Sequence, residues 1–120
     1  MLMTGAEIKA LISGNTEYLE TTGVGPSGGT PSQVVIYYAE DGTGIYKNTT
    51  RGVLWHVKWE IKGDTLCADI KERPNPPPPG TDCVRFDKTG DTVVVIDAVS
   101  GQTRAKVVKT APGNAEQLAP

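Results

Sequence analysis

The chain has 120 residues, of which 38% are hydrophobic and 22% charged, with a formal net charge of −2. This length suits one domain with a real core and is too short for two. The charge balance gives no electrostatic basis for binding nucleic acid or an anionic membrane. No apolar stretch approaches the roughly 20 residues of a membrane-spanning helix, and residues 1–4 are too few to form the apolar core of a signal peptide.

The first predicted element is a short helix over about residues 5–13. Thr4 and Glu7 have the spacing of a capping box, in which each side chain accepts a hydrogen bond from the other residue's backbone. An apolar stripe at helical spacing follows, made of Ile8, Leu11 and Ile12. A helix of two or three turns is not stable alone in water, so we expect it to pack against the rest of the domain.

Beyond the helix the hydrophobic pattern changes to a period of two, which predicts strands. Eight segments show this pattern between turn residues: 16–21, 33–40, 43–47, 53–61, 65–70, 82–87, 92–98 and 102–110. Asp41-Gly42 is the strongest two-residue hairpin signal. The Gly-Asp-Thr triplets at 63–65 and 90–92 are interpreted as turns that enter strands. The tail over 111–120 is predicted to be irregular.

This succession of strands predicts a mainly β single domain over 1–120. Short antiparallel strands without a crossover helix close naturally into a small up-and-down barrel, over about 16–110, because closure removes exposed strand edges. A two-sheet β-sandwich is the alternative.

The strand over 53–61 carries the most clearly apolar face. Alternation places Trp55 and Trp59 on that face, together with two valines. Either both tryptophans fill the barrel as core, or they line a pocket for a small ligand, since eight-stranded barrels can hold one. Tyr37 and Tyr38 are further pocket candidates. They point to opposite faces, so one of them is expected inside, where its hydroxyl needs a partner.

Cys67 and Cys83 are the only cysteines and lie 16 positions apart, on the predicted fifth and sixth strands. Two lone cysteines on neighbouring strands favour a cross-strand disulfide and therefore an oxidising compartment. Free thiols in a cytosolic protein are the alternative. If the two face each other at a non-hydrogen-bonded position, they lie on the outward, charged side of the hairpin and staple its loop.

Few residues are candidates for catalysis or metal binding. His56 is the only histidine, and it is expected to face solvent or to pair with a neighbour. A general base needs a positioned partner, which no spacing identifies, and the histidine and cysteine spacing does not match a zinc site. No catalytic residue, metal or cofactor is predicted. If the protein is an enzyme, a carboxylate pair such as Asp69 with Glu72 is the candidate for its catalytic groups.

The loop before Cys83 contains four consecutive prolines, Pro76, Pro77, Pro78 and Pro79. As a polyproline II segment, this run could bind an aromatic groove on a partner protein. The alternative is a stiff, solvent-exposed connection between two strands.

Five segments together resemble a known family: SGNT at 13–16, YYAEDG at 37–42, WEIKGDTLC at 59–67, CVRF at 83–86 and PGN at 112–114. The chain is similar to a family of small exported bacterial proteins of unknown function with calycin-like or lipocalin-like β-barrels. The resemblance implies periplasmic or secreted localisation, with this chain as the mature part, and a disulfide. It implies no catalytic residues, and the proline run departs from the shorter loop expected there.

Two functions follow as expectations. The first is a small exported, non-enzymatic binding module that holds a small apolar or aromatic ligand in a Trp-lined barrel. The second is a cell-envelope inhibitor or protein-interaction factor that acts through the proline-rich loop over 74–79. An enzyme is a third hypothesis, for which the sequence offers no nucleophile and base at a recognisable spacing.

Overall fold

One helix and eight antiparallel strands build the fold, seen in a computed structural model that describes residues 1–24, 30–73 and 82–118. The elements are α1 (Gly5–Ile12), β1 (Asn15–Thr21), β2 (Gln33–Tyr38), β3 (Thr43–Asn48), β4 (Val53–Lys62), β5 (Thr65–Ile70), β6 (Cys83–Thr89), β7 (Thr92–Asp97) and β8 (Thr103–Pro112). Each strand pairs with the next, and β8 pairs with β1, so the sheet closes into a barrel. The predicted up-and-down barrel is confirmed, and the β-sandwich alternative is wrong.

Helix α1 closes one end of the barrel, called here the helix end; the opposite end is the loop end. The predicted capping box is present, since the Thr4 hydroxyl accepts from the Glu7 N–H and the Glu7 carboxylate accepts from the Thr4 N–H. Ile8 and Ile12 are fully buried against the barrel core. The helix therefore gains from tertiary packing the stability that its short length does not provide.

The turns at the helix end are as predicted in two cases and longer in the third. Gly63-Asp64 and Gly90-Asp91 each form a two-residue connection with glycine at positive φ. The Asp41-Gly42 connection instead takes four residues, because β2 stops at Tyr38 and the Ala39 N–H bonds to the Thr43 carbonyl. The Asp41 carboxylate accepts from the Thr43 N–H and hydroxyl, which stabilises this longer turn.

The last strand is longer than predicted. Ala111 and Pro112 still pair with Thr16 and Asn15 of β1, so the irregular tail begins after Pro112 and not at residue 111. Leu118 of this tail is buried on the outside of the barrel. The side chain of Asn114 holds the segment in place, since its amide bonds to both the N–H and the carbonyl of Leu118.

The ladder between β5 and β6 is the shortest in the described part of the barrel. In the described residues their ladder contains two pairs, Leu66 with Val84 and Cys67 with Cys83. The N-terminal segment continues this edge of β6 toward the helix end, where Leu2 bridges to Asp87 and the Met3 N–H donates to the Phe86 carbonyl.

Candidate functional site

A cavity of about 330 Å³ occupies the interior of the barrel. All eight strands contribute inward-facing side chains to it, and most of the wall is aliphatic or aromatic. Its size falls at the low end of the roughly 300–1,000 Å³ typical of small-molecule sites. The interior is therefore not filled by side chains. In small barrels without a ligand site, by contrast, side chains fill the interior.

Trp55 belongs to this cavity wall. Its indole stacks on the ring of Tyr46, the residue opposite it on β3, with ring centroids 5.2 Å apart and an interplanar angle of 18°. Both residues line the cavity. The pair presents a flat, polarizable surface of the kind that packs well against an aromatic or apolar ligand.

Trp59 shares the inner face of β4 but lies at the helix end and does not line the cavity. Its indole N–H donates to the carbonyls of Ala39 and Thr43, at 3.0 and 2.9 Å. Its ring packs edge-on against Tyr38, with centroids 5.9 Å apart. Trp59 is thus a core residue that fixes the long β2–β3 turn, and the pocket prediction is corrected for it.

The two adjacent tyrosines separate as their alternation predicts. Tyr38 is buried, lines the cavity and has its pKa raised above the usual range, first by burial and then by the charge of Glu17. Tyr37 faces outward and packs against Val35, Ile45 and Leu118. Tyr37 is therefore not part of the cavity wall, which corrects the prediction for that residue.

The most unusual residue of the wall is Glu17 of β1, which the sequence did not single out. Its side chain is 1% exposed, and Oε2 accepts a hydrogen bond from the Thr110 hydroxyl at 2.7 Å. Oε1 is buried without a hydrogen-bond partner among the described residues. Burial raises the pKa of Glu17 to about 7, while the Thr110 hydrogen bond acts in the opposite direction. Alternation with Leu19 is the signal that could have placed it inside.

A cluster of charges, the loop-end cluster, consists of Arg73, Asp82, Asp97 and Arg104. The Asp82 carboxylate lies 3.3 Å from Arg73 and 3.0 Å from Arg104, with all three side chains largely buried. Arg104 Nε is 4.0 Å from the Asp97 carboxylate. Hydrogen bonds from the N–H groups of Ser100 and Val99, together with Arg104, keep the pKa of Asp97 below its usual value. The four residues lie at the loop-end termini of four consecutive strands, β5 to β8, and the antiparallel arrangement of these strands brings them together.

His56 faces the outside of the barrel and pairs with Glu72, as one of the two expectations for it required. Its Nδ1 contacts one Glu72 oxygen, and its backbone N–H donates to the other at 2.8 Å. These contacts lower the pKa of Glu72. The guessed carboxylate pair of Asp69 with Glu72 is not supported, because the Glu72 carboxylate is engaged by His56. In the described residues, no three His, Cys, Asp or Glu side chains are grouped as metal ligands.

Cys67 and Cys83 form the predicted disulfide, with Cα atoms 4.1 Å apart. They sit on the outer face, since their neighbours Leu66, Ala68 and Val84 line the cavity. The candidate partner residues Pro76, Pro77, Pro78 and Pro79 lie outside the described residues. No helix in the described part of the chain is long and apolar enough to cross a membrane.

Comparison of the chain with family models, with curated proteins and with solved structures finds no match.

Proposed function

We propose that the barrel is a binding module for one small molecule with a mainly apolar or aromatic body. The observation that carries this proposal is the cavity of about 330 Å³ with the stacked Tyr46–Trp55 pair in its wall. A barrel without a ligand role gains stability by filling its interior, because empty apolar volume forfeits dispersion contacts. Space bordered by aromatic rings is what a small-molecule site requires.

The place of action in this proposal is an oxidising compartment, the periplasm or the exterior of the cell. The disulfide between Cys67 and Cys83 supports it, because cytosolic thiols are kept reduced. The resemblance to small exported β-barrel proteins points the same way. The test is the redox state of the two cysteines in the native host: alkylation of both thiols in freshly lysed cells would contradict the proposed compartment.

The binding test uses N-phenyl-1-naphthylamine, an apolar dye whose fluorescence rises in apolar surroundings. We expect saturable binding at one dye per chain to the wild-type protein. In Ala68→Trp the new indole projects from β5 into the cavity, because Ala68 lines it. This variant should lose at least tenfold in affinity.

The matched control is Ala10→Trp, which adds the same side chain at an exposed position of α1. It should bind the dye like the wild type. Circular dichroism verifies that both variants are folded. Equal dye binding by Ala68→Trp and the wild type would show that the dye binds elsewhere, and would contradict the proposed function.

A further inference from the structure

Among the described residues, the cavity contains one buried ionisable side chain, Glu17, that no opposite charge of the protein pairs with. Arg73 and Arg104 are engaged by Asp82 and Asp97 within the loop-end cluster. Arg51 also borders the cavity but is exposed to solvent. Glu17, in contrast, is buried, and the one side-chain hydrogen bond that it makes within the described part of the chain comes from the neutral hydroxyl of Thr110.

The position of Glu17 is equally specific. It pairs with Ile36 of β2 and Thr110 of β8, two residues from the start of β1 at the helix end. Tyr38 and Tyr46 face the same cavity, and the charged groups there besides Glu17 are Arg51 and members of the loop-end cluster. The carboxyl group thus lies toward the helix end of the barrel, and the loop-end cluster lies at the opposite end.

A buried carboxyl with a free oxygen needs either a proton or a donor supplied from outside, because an unpaired buried charge costs several kcal/mol or more. A ligand ammonium group supplies both a hydrogen bond and the opposite charge, which makes the strong type of hydrogen bond. Aromatic rings in the wall favour a cation as well, through attraction to the faces of their π-systems.

We propose that Glu17 is a ligand-binding residue that accepts the protonated amine of a molecule whose apolar or aromatic body extends toward Tyr46 and Trp55. The inference rests on the proposed function and goes further by naming the polar group of the ligand and its position in the barrel. Oε1 of Glu17 receives the ammonium hydrogen bond once a rotation of the side chain brings this buried oxygen to the cavity surface, while Oε2 stays bonded to Thr110.

The test is displacement of bound N-phenyl-1-naphthylamine by three probes of matched shape: 4-phenylbutylamine, 4-phenylbutan-1-ol and 4-phenylbutanoate. At pH 8 an alkylamine is protonated, and Glu17 is mostly ionised. We expect the amine to bind the wild-type protein at least tenfold more tightly than the alcohol, and the alcohol more tightly than the acid. The preference for the amine should disappear in Glu17→Gln and persist in Glu20→Gln, which removes an exposed charge from the same strand.

A second measurement uses pH and needs no variant. Because burial raises the pKa of Glu17 to about 7, its protonation at pH 5 should weaken amine binding by roughly one to two orders of magnitude relative to pH 8. The affinity for the alcohol should stay nearly constant over the same range.

The outcomes separate the two proposals. If the dye binds in the cavity but the amine and alcohol compete equally, or the acid competes best, Glu17 is not the amine-binding residue and the binding module stands. If none of the three probes displaces the dye, the inference is also overturned. If the dye itself fails to bind in the cavity, the proposed function falls, and the inference with it.

Discussion

Cys67 and Cys83 face each other across the shortest ladder in the described barrel, and the adjacent Ala68 N–H donates to the Asp82 carbonyl. Asp82 is also the residue whose carboxylate joins Arg73 to Arg104. The disulfide, the end of the ladder and the loop-end cluster therefore meet within a few residues. A covalent bond thus reinforces the pair of neighbouring strands with the shortest ladder in the described residues.

Removing this bond should destabilise the protein substantially. The two cysteines are 16 positions apart, and a loop of this length corresponds to about 3 kcal/mol in the chain-entropy estimate. Urea unfolding of the oxidised wild type, the reduced wild type and the double variant Cys67→Ala/Cys83→Ala measures the effect. The reduced wild type and the double variant should lose similar amounts of stability relative to the oxidised wild type. A loss below about 1 kcal/mol would mean that the wall holds without the disulfide.

The buried carboxyl of Glu17 should make stability depend on pH. Its pKa is raised to about 7 from the usual 4.5 of a glutamate, so between these values the folded protein binds more protons than the unfolded chain. Its contribution to stability is fully present below about pH 4.5 and is lost as the pH rises through about 7. At about 1.36 kcal/mol for each pKa unit, the loss is roughly 3 kcal/mol.

Glu17→Gln should therefore be more stable than the wild type at pH 8 and closer to it at pH 4.5. Urea unfolding at the two pH values measures this difference directly. Glu20→Gln is the control, because Glu20 is exposed on the same strand and should behave like the wild type at both values. Parallel pH profiles for Glu17→Gln and the wild type would contradict the raised pKa.

The two tryptophans should differ in their importance for stability. Trp59→Phe removes the indole N–H that donates to Ala39 and Thr43, and should cost about 1–3 kcal/mol. Trp55→Phe keeps an aromatic ring next to Tyr46 and should cost less than about 1 kcal/mol, because Trp55 borders an existing cavity. Guanidinium unfolding of both variants compares them. The reverse order would place the structural tryptophan at position 55.

Gly5 should be a position where the usual helix preference is reversed. Replacing an exposed glycine in a helix with alanine typically stabilises the protein by about 1 kcal/mol. A Cβ on Gly5 would instead lie 2.0 Å from the Gly63 carbonyl oxygen and 2.8 Å from the Ile61 side chain. Gly5→Ala should therefore destabilise by about 1–3 kcal/mol, as overpacking does.

The thermal unfolding midpoint of Gly5→Ala, compared with that of the exposed helix variant Ala6→Gly, measures this effect. Ala6→Gly should lose only about 1 kcal/mol of stability, because glycine has a lower helix propensity than alanine. A Gly5→Ala protein more stable than the wild type would show that α1 can shift away from the β4–β5 turn without loss.

Most of the fold was accessible from local signals. The capping box of Thr4 and Glu7 marks the helix start, and the glycines of the two-residue turns mark strand ends within a residue or two. The long turn after Tyr38 was less accessible, because its hydrogen bonds depend on Trp59, a residue from a different strand. Local sequence does not contain such a contact.

The candidate site was harder to predict than the fold. Alternation places both tryptophans and one of the two tyrosines inside, without saying which of them border the cavity. Glu17 alternates with Leu19, but ionisable residues are rarely fully buried, so an exposed position is the ordinary expectation for it. The loop-end cluster depends on how the ends of β5 to β8 come together, including the register shift at Val95/Ile96 between β7 and β8. Such irregularities have no counterpart in the periodicity of the sequence.

Ile8 and Ile12 close the barrel at the helix end, since both side chains are fully buried there. Exchange of its contents from that side would require the helix to detach. In the proposed binding mode, a ligand that enters from the loop end does so with its amine first, and the amine is the last group to leave. The order in which the two ends of a ligand enter and leave would then be set by the shape of the barrel, independent of the binding affinity.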